Sequence, residues 1–73
     1  MKIKDKFNKE QLELIKNNFK DIEKDFDKES LEELEDIIYN KMMDNLDKEQ
    51  NFTDLASRYE EILDIIVEVE NSL

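Results

Sequence analysis

The 73-residue chain contains no glycine and no proline. Tight hairpin turns draw on glycine for positive φ and on proline for a preset φ. A fold of many strands needs many such turns. Helices joined by short polar connections need few, so the chain is expected to be all-α. Cysteine and histidine are missing too. No disulfide or thiolate metal site can brace the fold, and the usual general base and neutral metal ligand are both absent. A single domain of this length buries a modest core, so stability has to come from close helix packing, with association as the other remedy.

Charged residues make up 44% of the chain, and the net charge is −10. High charge with low hydrophobicity is the signature of disorder, but the apolar residues are too regularly spaced for that. Asn8 and Gln11 stand at the spacing of a capping box, flanked by Phe7 and Leu12 as a hydrophobic staple. From there Leu12, Ile15, Phe19, Ile22 and Phe26 advance in steps of three and four, one stripe of a helix. Asp27 or Ser30 caps a second helix, with Asp27 preferred. Its inward face is Leu31, Leu34, Ile38, Met42 and Leu46. The polar stretch "DKEQN" breaks the pattern and places a turn at residues 47–51. Asn51 or Thr53 then caps a third helix, with the stripe Phe52, Leu55, Tyr59, Ile62, Ile66, Val69 and Leu73.

The expectation is a small antiparallel three-helix bundle, with helices over roughly residues 9–25, 28–46 and 52–71. Residues 1–7 are expected as a loose N-terminal segment of this single domain. The expected core is Leu12, Ile15, Phe19, Ile22, Leu31, Leu34, Ile38, Met42, Leu55, Tyr59, Ile62, Ile66 and Val69. Leu14 lies off its stripe and reads as an exposed leucine. The run "ILDIIVEVEN" is more apolar than one face needs. Leu63, Ala56 and Val67 widen the stripe of the third helix on one side and Ile65 on the other, so that helix touches two neighbours. Ile65 and Val67, at the edges of the arc, either roof crevices or lie under a second copy. A monomer is favoured over a homodimer.

Chemistry-bearing motifs are weak. Asp25, Asp27 and Glu29 stand at the first ligand positions of a calcium loop. Ser30 occupies the position that needs glycine, however, and Asp36 replaces the bidentate glutamate. Acid pairs such as Glu32/Asp36 and Glu60/Asp64 fall on faces expected to be wet, where nothing shifts a carboxylate toward catalysis. No enzyme activity, cofactor or metal is expected.

What stands out is where the charge lies. Residues 1–26 hold seven lysines and six acids, whereas residues 27–73 hold four basic residues and fifteen acids. Such a chain is repelled by nucleic acid and by anionic lipid, and no apolar run reaches the roughly 20 residues of a membrane span. The start has no apolar stretch of signal-peptide length, so a cytoplasmic location is expected. The lysine, asparagine and isoleucine bias points to an A+T-rich coding sequence, as in low-GC bacteria or their mobile elements.

The function expected is a non-enzymatic module that occupies a basic surface of a partner protein. Its acidic face would be Glu32, Glu33, Glu35, Asp36, Asp44, Glu60, Glu61 and Asp64. In the sharper form it is an inhibitor whose carboxylates mimic nucleic-acid phosphates. One alternative is an assembly protein that self-associates through an apolar interface of Tyr39, Met43, Ile65 and Val67. Another is a domain whose acids serve solubility alone.

Overall fold

The computed structural model describes residues 1–46 and 53–73. It is a compact three-helix bundle, with α1 at Lys9–Asn18, α2 at Lys28–Asp44 and α3 at Asp54–Asn71. Its Cα radius of gyration is 12.0 Å, near the roughly 11 Å of a compact domain of this length. One core cluster joins Ile15 of α1, Leu31, Leu34, Ile38 and Met42 of α2, and Ala56, Tyr59, Ile62, Ile66 and Val69 of α3. The longest contact is between α2 and α3. They run antiparallel: Thr53, before α3, bonds Asn45, after α2, at one end, and Glu70, near the end of α3, lies by Lys28, Glu32 and Glu35 in the first half of α2.

The helix starts follow their caps. Asn8 Oδ1 accepts from Gln11 N at 2.8 Å, and Gln11 Oε1 accepts from Asn8 N at 2.9 Å, which completes the box. Asp27 Oδ1 accepts from both the backbone N and the hydroxyl of Ser30, each at 2.8 Å. Both candidate residues therefore take part in one cap, with Asp27 as its acceptor. Thr53 Oγ1 accepts from Ala56 N at 3.1 Å and donates to Asn45 O at 2.7 Å. The turn expected at 47–51, the Asn51 cap and Phe52 lie outside the described residues.

The first helix is much shorter than its stripe suggests, ending at Asn18 rather than near 25. Two asparagines close it, and asparagine competes with the helix by bonding local backbone groups. Asn18 Nδ2 folds back onto Leu14 O at 3.1 Å and also reaches the Tyr59 hydroxyl at 3.1 Å. Phe19 then turns extended, at φ −149° and ψ 109°. Ile22 and Phe26 are buried nonetheless, because a turn closed by Lys24 N on Asp21 O brings them inward. The Phe19 and Phe26 rings meet at a 45° tilt with centroids 5.8 Å apart, and the Lys24 ammonium lies 5.4 Å from each centroid.

Residues 1–7, expected as a loose segment, instead pack against this irregular stretch. Ile3 is fully buried and Phe7 is buried beside it. Met1 and Phe26 exchange two backbone hydrogen bonds, at 2.7 and 2.9 Å. Lys4–Lys6 form a single 3₁₀ turn. Lys2 donates to Glu23 O and lies 4.0 Å from Asp25, and Lys4 pairs with Glu23 at 3.2 Å. The apolar pair Ile3 and Phe7 thus supplies core that the missing end of α1 does not.

Three further core expectations are corrected: Leu55 is exposed, and Leu12 and Phe19 are half-buried at the margin of the core. Leu73, the last residue of the third stripe, is exposed too. Leu14, read as an exposed leucine, packs against the cluster.

Candidate functional site

The helical register sorts the acids of α2 and α3 into groups. Glu35 stands one turn after buried Leu31, and Glu70 one turn after buried Ile66. Glu35 flanks the buried row of α2 and Glu70 continues that of α3, and the two carboxylates meet across the helix pair. Glu70 Oε1 is covered and accepts no hydrogen bond among the described residues. Burial raises the pKa of Glu70, and a hydrogen bond with Glu35 and the charges of Glu35 and Glu32 add to that rise. Lys28 opposes it. Glu70 is missing from the acidic face read from the sequence. Its signal was available: a glutamate that continues the Ile62–Ile66 row.

The meeting of Glu35 and Glu70 also fixes which sides of α2 and α3 face each other. From Glu35 the row continues to Tyr39 and Met43. From Glu70 it runs back to Val67 and Leu63. Steps of three or four residues keep a row on one side of a helix. The two rows therefore run side by side, in opposite chain directions, along one open seam of the α2–α3 pair. Tyr39 is 49% exposed, Met43 44% and Val67 40%, while Leu63 is half-buried against the core.

Four of the expected acids border this seam at helical spacing. Glu32 and Asp36 lie beside Tyr39 on α2, and Glu60 and Asp64 lie beside Leu63 and Val67 on α3; all four are exposed. Glu33, Asp44 and Glu61 are exposed too, but lie further round their helices. The structure thus splits the acidic face: four carboxylates border the seam, Glu35 closes one end, and three point elsewhere.

The expected apolar interface is divided in the same way. Tyr39, Met43 and Val67 share the seam. Ile65 does not: it lies on the opposite flank of α3, half-buried, in a shallow depression with Met1, Lys6 and Val69. The N-terminal segment roofs that edge of the arc, and nothing among the described residues roofs the other.

Ion pairing follows the same polarity. Every ion pair among the described residues joins Met1, Lys2 or Lys4 to Glu23 or Asp25. The hydrogen bond and charge of Lys4 lower the pKa of Glu23, and the Ser30 hydrogen bonds lower that of Asp27. None of the eight expected acids is in an ion pair with a described residue. Asp25 and Asp27, considered for a calcium loop, are instead engaged with the N-terminal segment and the α2 cap. No described helix is long and apolar enough to cross a membrane.

Against protein-family models, curated proteins and solved structures, the chain finds no match.

Proposed function

We propose that this protein is a non-enzymatic binding module whose α2–α3 face occupies a basic surface on a partner protein. The observation that carries this reading is the exposure of Glu32, Asp36, Glu60 and Asp64 with no ion-pair partner among the described residues. Lys2 and Lys4 pair instead with Glu23 and Asp25 at the other side of the fold, while Lys28, one turn before Glu32, is the cation that acts on Glu70. Exposed carboxylates held on two helices project a field outward, steer an oppositely charged partner and disfavour like-charged ones. In its sharper form the module is an inhibitor: carboxylates at helical spacing stand where phosphates would on a nucleic-acid-binding protein. A bacterial or phage setting fits the lysine- and asparagine-rich composition.

The test is capture of partners from the cell of origin at low and at high salt. It compares the wild type with Glu32→Lys/Asp36→Lys/Asp64→Lys and with the control Glu10→Lys/Glu13→Lys on α1. Glu35 is left unchanged because a lysine there would pair with Glu70. Capture should weaken with salt and be lost in the triple variant, and the control should retain it. For the inhibitor form, an oligonucleotide should displace the protein. A partner held equally at both salt concentrations, and equally by the triple variant, would remove the reading.

A further inference from the structure

We infer that the α2–α3 seam is a docking groove for a basic amphipathic helix of the partner, whose apolar stripe lies on Tyr39, Met43, Leu63 and Val67. The inference rests on the charge reading proposed above and gives the partner's contact segment a form. Three features select that occupant. The apolar residues follow two parallel rows rather than a scattered patch, and two helices presenting such rows offer the groove into which a third helix lays its i, i+3, i+4, i+7 side chains. The seam also combines a tyrosine, a methionine and branched aliphatics. Tyrosine supplies amphipathic contact area, and methionine adapts to the side chains it meets. Finally, acids stand on both margins, Glu32 and Asp36 on one and Glu60 and Asp64 on the other. A helix with lysine or arginine on either side of its stripe matches both margins at once.

The same margins argue against a second copy of this chain. Pairing two seams face to face would set four exposed carboxylates against their own equivalents, on molecules that each carry −10. They argue equally against a membrane surface, whose headgroups are neutral or anionic.

The probe is a synthetic peptide with leucines at i, i+3, i+4 and i+7 and lysine or arginine flanking them. Its control has the same composition, scrambled so that the stripe is lost. Fluorescence anisotropy at physiological salt should show the striped peptide binding at least about tenfold more tightly, the scale of one good apolar anchor. Tyr39→Gln/Val67→Gln should reduce the striped peptide to the affinity of the scrambled one, and leave the scrambled one unchanged. Both sites are exposed and glutamine favours helix, so circular dichroism should show the fold intact. Equal binding of the two peptides to wild type, or an indifferent double variant, would overturn the groove while leaving the charge reading in place. The charge reading fails separately, if Glu32→Lys/Asp36→Lys/Asp64→Lys and added salt leave binding of both peptides unchanged. A wild-type dimer in sedimentation, dispersed by Tyr39→Gln/Val67→Gln, would also overturn the inference, because a second copy would then cover the seam.

Discussion

Glu70 carries the clearest consequence at the residue scale. Its pKa is raised in the fold by burial, and by Glu35 and Glu32, so the native state holds its proton more tightly than the unfolded chain does. For a raised carboxyl the stabilisation is fully present below the ordinary glutamate value and is lost as pH rises through the raised one. The melting temperature should therefore climb as pH falls from about 7 towards about 5. Glu70→Gln should raise it at neutral pH and flatten the climb, since the amide can donate to Glu35 without titrating. Glu23 and Asp27 act with the opposite sign: their pKa values are lowered, so what they contribute is lost only under more acid conditions. Thermal melts across this range check both limbs, and a melting temperature that falls steadily from neutral pH would contradict the Glu70 assignment. The deep core residues were legible because they recur at helical spacing. Ile62 is fully buried, and Ile62→Ala should cost about 2–5 kcal/mol in denaturant unfolding.

Among the elements, α2 and α3 could be read closely, because an uninterrupted stripe and a marked cap leave little choice of boundary. The end of α1 could not. Ile22 and Phe26 keep a four-residue step through a turn, so spacing alone does not separate them from helix. The decisive group is Asn18, whose side chain bonds Leu14 O and a tyrosine 41 positions away. The N-terminal segment was illegible for a related reason. Two apolar residues among lysines show no period, and their partners lie across the molecule. Ile3→Ala should destabilise by about 2–5 kcal/mol, as a core truncation does; a loss near zero would restore the loose segment. At the other end of the pair, the Thr53 hydroxyl accepts from Ala56 N to cap α3 and donates to Asn45 O after α2. Thr53→Ala should cost about 1–2 kcal/mol, and Thr53→Ser should recover most of it, in the same unfolding measurement.

The whole molecule is polarised in charge and in apolar cover. The nearly neutral first third roofs one flank of α3, and the acidic remainder leaves the opposite flank open. This answers the excess of aliphatic residues in α3 only in part: Ile65 is roofed, while Val67 is left for something outside the chain or for water. The candidate site was legible as a composition, but its shape was not. Which acids border Tyr39 and Val67 depends on how α2 and α3 face each other, which the Thr53–Asn45 bond and the carboxylates around Glu70 reveal and spacing along the chain does not. Val67→Lys should accordingly leave stability nearly unchanged, whereas Ile65→Lys should lower it by forcing a charge under the N-terminal segment. The acids also bear on association. At physiological ionic strength screening acts over about 8 Å, too far to silence carboxylates pressed against their equivalents in a second copy. The free protein should sediment with the mass of one chain at low and at high concentration. Neutralising the margins, with Glu32→Gln, Asp36→Asn, Glu60→Gln and Asp64→Asn together, should let the seam self-associate, and adding Tyr39→Gln/Val67→Gln should return it to the monomer. Self-association of the wild type at low salt would mean that the margins do not govern what the seam accepts. A neutralised variant that stays monomeric would mean that its apolar rows are too narrow to hold a partner unaided, leaving the charges as the main source of affinity.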